Sequence, residues 1–188
     1  LNRNYVRPEL NDILENTAKN LSKTPIQIHY LDANFPFINH FPLLPHLSHH
    51  DGRKIDLSLI YESEKGHISN NQKSITGYGA FSHPKKTEVN QIDRCIDQGY
   101  FQYDFPKYLT FGQINHKLNF SEQGTKALIN SLLKNTRLEK IFIEPHLKHR
   151  MGLVDSRIRY HGCRAVRHDD HIHIQSKQLF LESTLSIN

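Results

Sequence analysis

The segment His171-Ile-His-Ile-Gln175 alternates polar and aliphatic side chains without a break. On extended backbone, successive side chains point to opposite faces, so both imidazoles share one face and both isoleucines the other. Ile55-Asp-Leu-Ser-Leu59 repeats the pattern, with Asp56 and Ser58 set against three aliphatics. Two such strands hold the chain to a sheet with one apolar face on a core. The other face is expected to be exposed and to carry histidine and aspartate.

Histidine is abundant here, 14 in 188 residues, so a His-x-His pair is not by itself evidence of a site. A lone histidine is more often a surface or hydrogen-bonded core residue than a ligand. Clustering argues against that plain reading. His40, His46, His49 and His50 crowd one segment, and His161, His168, His171 and His173 another. Each cluster meets one of the alternating strands. Two imidazoles and one carboxylate form the protein ligand set of a catalytic zinc, with a fourth position open to water. These residues read as a metal-dependent hydrolase.

The same residues carry a family resemblance. His49 and Asp56 match the His-x6-Asp motif of the LAS group of zinc peptidases, which holds lysostaphin-type enzymes, D-Ala-D-Ala peptidases and the hedgehog amino-terminal domain. His171-Ile-His173 matches the closing His-x-His of that group. The chain most resembles the penicillin-insensitive murein endopeptidase branch. Its His-x-Ser-His start is similar to His46-Leu-Ser-His49, and its His-Asp-x-His-x-His end to His168-Asp-Asp-His171-Ile-His173. Ile141-Phe-Ile-Glu-Pro-His-Leu-Lys is similar to the strand that precedes the final motif. The resemblance covers residues 40–60 and 138–175, and residues 62–120 have no part in it.

The resemblance implies that His49, Asp56 and His173 bind one Zn2+ per chain. It implies that His171 touches the metal-bound water or the scissile carbonyl, and that His46 and His168 line the site. A zinc-bound water has a pKa near about 7, and a neighbouring imidazole can take its proton and return it to a leaving amine. Whether His171 or His168 is the base stays open. Asp170 stands where D-Ala-D-Ala dipeptidases of the group place an acidic base, but on a regular strand its side chain would oppose His173. His50 is one residue too close to Asp56 for the motif. Asp51, Asp155 and Asp169 read as loop carboxylates, one of which could orient a ligand imidazole.

The activity implied is hydrolysis of peptide bonds in peptidoglycan stem peptides or their cross-links, with endopeptidase ahead of D,D-carboxypeptidase or dipeptidase. A non-catalytic zinc-containing module that binds cell wall is the alternative. The implied location is periplasmic or secreted, with any leader absent from this sequence. The net charge is +5, and the sequence pI is near 9.2. The basic residues are scattered, no nucleic-acid-binding signature appears, and a basic surface suits an anionic wall polymer. No run is long and apolar enough for a membrane span. Cys95 and Cys163 are the only cysteines, too few and too distant for a zinc finger. They are either a disulfide of an exported protein or two separate buried thiols, and an envelope location favours the disulfide.

The expected architecture is α+β, one domain over 1–188 with an insertion at about 62–120. An antiparallel sheet bears the zinc site, with helices packed on its opposite face as in the hedgehog and D-Ala-D-Ala peptidase scaffold. Helices are expected from Arg7 to Leu21 and from a Ser121 cap to Leu133. Strands are expected at Pro25–Tyr30, 54–61 and 139–143, a long loop or hairpin at 62–85, and a short helix at Ser156–Tyr160. The aromatic run Tyr100–Tyr108 is either core packing or a groove wall.

Overall fold

The computed structural model describes residues 3–35 and 49–178. In chain order the elements are α1 (Pro8–Leu21), β1 (Tyr30–Asp32), β2 (Lys54–Ser58), β3 (Tyr61–Glu62), β4 (Ile68–Ser69) and α2 (Gln91–Asp97). A 3-10 helix (Phe101–Leu109), β5 (Asn119–Phe120), α3 (Glu122–Leu133), β6 (Leu138–Phe142), α4 (Pro145–Arg150), β7 (Ile158–Arg159) and β8 (His171–Ser176) follow. The fold is mixed α+β.

Five strands form the main sheet in the order β1-β2-β8-β6-β7. The two alternating segments are its central neighbours, antiparallel, with Asp56 opposite His173 and Ser58 opposite His171. Period two then sorts the side chains as expected. Ile55, Leu57, Ile172 and Ile174 enter the apolar core, and Asp56, His171 and His173 face the other way. The pairing departs from the all-antiparallel expectation at one edge, where β7 runs parallel to β6. The reason is the crossover through α4, which returns the chain to the same end of the sheet. The stretch expected as a helix at Ser156–Tyr160 is instead a turn followed by the two-residue strand β7.

Two helices cover the apolar face. In α1, Leu10, Ile13, Thr17 and Leu21 form the buried stripe, Pro8 opens the first turn and Glu9 and Lys19 complement the helix dipole. Ser121 caps α3 by accepting from the Gly124 N–H. Gly124 also permits close approach, since a Cβ there would lie 2.6 Å from Ile60 Cγ2. Leu128, Ile129 and Leu132 then reach the core that the sheet's aliphatics share.

Two expected strands are shorter than their alternation. Of Pro25–Tyr30 only Tyr30 begins a strand, and β2 stops at Ser58 before β3 joins a separate small sheet ordered β4-β3-β5. The hairpin expected within 62–85 exists between β3 and β4, but residues 77–80 are buried rather than exposed. The polar face of the main sheet is likewise buried: Asp56 and His171 have no exposed surface. Part of its cover is residue Tyr78, from the middle of the chain.

A candidate metal centre

Asp56 and His173 meet because they are cross-strand partners on the polar face. His49 reaches them from the segment before β2. His173 Nδ1 lies 2.8 Å from Asp56 Oδ1, His49 Nε2 lies 3.1 Å from His173 Nδ1, and His49 Nε2 lies 3.4 Å from Asp56 Oδ1. All three residues are buried, and the group could hold a metal ion. Metal–ligand bonds of about 2.0–2.2 Å in a tetrahedron separate donor atoms by about 3.3–3.6 Å, close to what these side chains already adopt.

The donor chemistry fits as well. The Nδ1–H of His49 donates to the Ala33 carbonyl at 3.3 Å, with Asp32 Oδ2 at 3.5 Å. A carbonyl only accepts, so the proton sits on Nδ1 and the Nε2 lone pair faces the centre. Burial lowers the pKa of His49, but the charges of Asp56 and Asp32 raise it overall. His173 is pushed down to about 4, chiefly by burial, against the pull of Asp56. It is neutral at pH 7, as a metal-binding imidazole must be.

A second ring of contacts surrounds the donors. The Tyr78 hydroxyl donates to Asp56 Oδ2 at 2.8 Å, and its ring stands edge-on to His171 at 5.1 Å. His171 Nδ1 bonds Asp170 Oδ1, and His171 Nε2 lies 3.9 Å from Asp56 Oδ2. Burial opposes the charge on His171, yet Asp170 and Asp56 hold its pKa up at about 9. Asp170 Oδ2 also accepts from the Gly79 N–H at 2.6 Å. His168 is pushed well below its ordinary value by burial and by the His171 and His173 rings, the first 4.7 Å away. The His168 N–H donates to Glu144 Oε1, whose other oxygen accepts from the Tyr103 hydroxyl at 2.6 Å. Glu144 is pushed up to about 7, first by burial and then by Asp169.

The structure thus brings His49, Asp56 and His173 together, sets His171 beside them and packs His168 against His171. His46 lies outside the described residues. His50 is half-buried and not among the donors. Asp170 is bonded to His171 and Gly79. Asp51 pairs with Arg53 and Lys54, Asp155 with Arg157, and Asp169 with Arg167, so none of these three orients a ligand imidazole. That part belongs to the Ala33 carbonyl with the Asp32 carboxylate beside it, and the sequence reading singled out neither. Nor did it find Tyr78. Its one local signal is Gly77-Tyr78-Gly79, where both glycines hold positive φ (84° and 74°).

The loop before β8 is anchored to the middle of the chain. Arg167 clamps Asp169 through Nε and Nη2 at 2.6 Å each, reaches Asp104 at 2.8 Å, and stacks 3.7 Å from the Phe81 ring centre. Cys95 and Cys163 form a disulfide, S–S 2.06 Å, which ties α2 to the same loop. The aromatic run divides between its two expected roles: Tyr103 is buried, while Phe101 and Tyr108 are exposed. Among the described residues, no helix is long and apolar enough to cross a membrane. No protein-family model and no curated protein matches the chain.

Proposed function

We propose that this chain is a zinc peptidase of the LAS type, acting on peptidoglycan stem peptides or their cross-links. One observation carries the reading: a buried His49–Asp56–His173 donor set lies next to an aspartate-held histidine, His171, on the same sheet face. The motif resemblance to murein endopeptidases supplies the substrate class, and the hedgehog-like scaffold belongs to the same reading.

His49 Nε2, Asp56 Oδ1 and His173 Nδ1 would hold the metal. Bound there, zinc would supply a water acidified to a pKa of about 7 and a Lewis acid for the scissile carbonyl. The chain's own part follows from its hydrogen bonds. Asp170 accepts from His171 Nδ1 and fixes the ring, so that Nε2 is the atom presented towards Asp56. From there His171 can hand a proton to a leaving amine or hold a developing oxyanion. His168, packed on its ring, is the neighbouring imidazole able to share that proton. The Cys95–Cys163 disulfide supports an oxidising compartment, in keeping with a periplasmic or secreted protein.

The test begins with elemental analysis of protein purified without chelators or a metal-binding tag. About one zinc per chain is expected, followed by release of peptide fragments from isolated cell-wall sacculi. No metal, and none regained on adding zinc, would remove the reading.

A further inference from the structure

Tyr78 and Gly79 each hold one carboxylate of the site, and they do so from a segment that has no part in the family motifs. The Tyr78 hydroxyl binds Asp56 Oδ2, and the Gly79 N–H binds Asp170 Oδ2. Their backbone is itself fixed. The Ser74 hydroxyl donates to the Tyr78 carbonyl at 2.7 Å, and the Tyr78 N–H donates to Thr76 Oγ1 at 3.2 Å. Gly79 has φ +74°, and a Cβ there would lie 2.4 Å from Thr110 Cγ2 and 2.7 Å from the Pro106 carbonyl oxygen. No other residue type fits that position without moving the 3-10 helix.

The two oxygens of Asp56 are sorted by this arrangement. Oδ1 faces both donor imidazoles, at 2.8 and 3.4 Å. Oδ2 is turned towards Tyr78 and lies 3.9 Å from His171 Nε2. A carboxylate oxygen only accepts, so the phenol is the donor in this contact.

We propose that Tyr78 is a positioning residue of the metal centre: by occupying Asp56 Oδ2 it makes the aspartate a one-oxygen ligand and keeps the fourth coordination position open. The proposal rests on the metal-centre reading above. Without the hydroxyl, Oδ2 loses this hydrogen bond and can turn into the centre as a second ligating oxygen. The water then shares a five-donor ion instead of holding the one open position of a tetrahedron.

The experiment is Tyr78→Phe, which keeps the ring against His171 and removes only the donor. Zinc affinity is measured by competition with a coloured chelator. The expected result is an affinity weakened by about 10–100-fold, the range for losing an outer hydrogen bond to a metal ligand. The metal-free variant should melt lower than the wild type, since buried Asp56 loses a donor, and still unfold in one cooperative transition. Cobalt-loaded wild type should show the intense visible bands of four-coordination, and the variant the weaker bands of a higher coordination number. Wild type that takes up no zinc overturns the metal-centre reading and this inference together. A folded Y78F protein with wild-type zinc affinity and cobalt spectrum overturns the inference alone. So does a five-coordinate cobalt spectrum of the wild type, which needs no variant at all.

Discussion

Removing the His173 imidazole leaves His49 and Asp56 as the only members of the donor set, one ligand short of a three-residue site. His173→Ala should therefore lose stoichiometric zinc, as read by elemental analysis; full occupancy in that variant would take His173 out of the centre. His171 is a different kind of neighbour. Its Nδ1 is committed to Asp170, so His171→Ala should keep about one zinc per chain while turnover on sacculi falls by about 100-fold or more, the usual worth of a positioned acid or base. Unchanged retention on sacculi, with no turnover in the wild type either, would favour the wall-binding module instead. At this scale the shared face was legible from sequence because alternation is a local property: His171 and His173 share a face by period two, and Asp56 is placed by the same rule, whereas His49 entered only through the motif resemblance. Tyr78 and Asp32 were not legible. Each acts on a ligand through a contact that joins distant parts of the chain, and no short-range pattern records such a contact.

Among the elements, the pin between α4 and the end of the 74–88 segment carries a pH signature. Arg150 binds both oxygens of Glu88, at 2.9 and 2.6 Å, and also the His83 carbonyl oxygen. That pairing holds the Glu88 carboxyl down at about 2. A depressed folded-state pKa adds stability above the unfolded value near 4.5 and loses it as pH falls towards 2. The melting temperature of Glu88→Gln should accordingly fall less between pH 4.5 and 2 than that of the wild type; parallel acid limbs in thermal scans would refute the pin. The disulfide makes a second element-scale prediction. Alkylation of unreduced protein should label neither cysteine. Replacing both by serine should cost about 2–5 kcal/mol, because the bridge closes a separation of 68 residues in the unfolded chain. Calorimetry at fixed pH would measure it. Helices α1 and α3 were readable from their caps and apolar stripes. Ile158–Arg159 was not, since a two-residue strand has too few residues to display a period, and its form comes from pairing with β6.

For the whole molecule, the two faces of one sheet divide the labour. The apolar face carries the packing: Leu128 is fully buried among aliphatics of α3 and the sheet, and Leu128→Ala should cost about 2–5 kcal/mol in denaturant unfolding while leaving zinc content unchanged. A coupled loss of zinc would mean that the core and the centre are not separable. The polar face carries the donors and was expected to be open to solvent. Alternation identifies which face is polar, but it cannot say what lies on top. The cover includes Tyr78, whose hydroxyl satisfies a buried carboxylate that would otherwise be costly to hide. That dependence limits how such a protein can diversify. Loops that read substrate are commonly exchanged between relatives as cassettes, leaving the chemistry behind. Here a transplanted 62–120 segment would have to bring its own phenol to Asp56 and its own amide to Asp170, so under the proposed function recognition and metal retention would be inherited together.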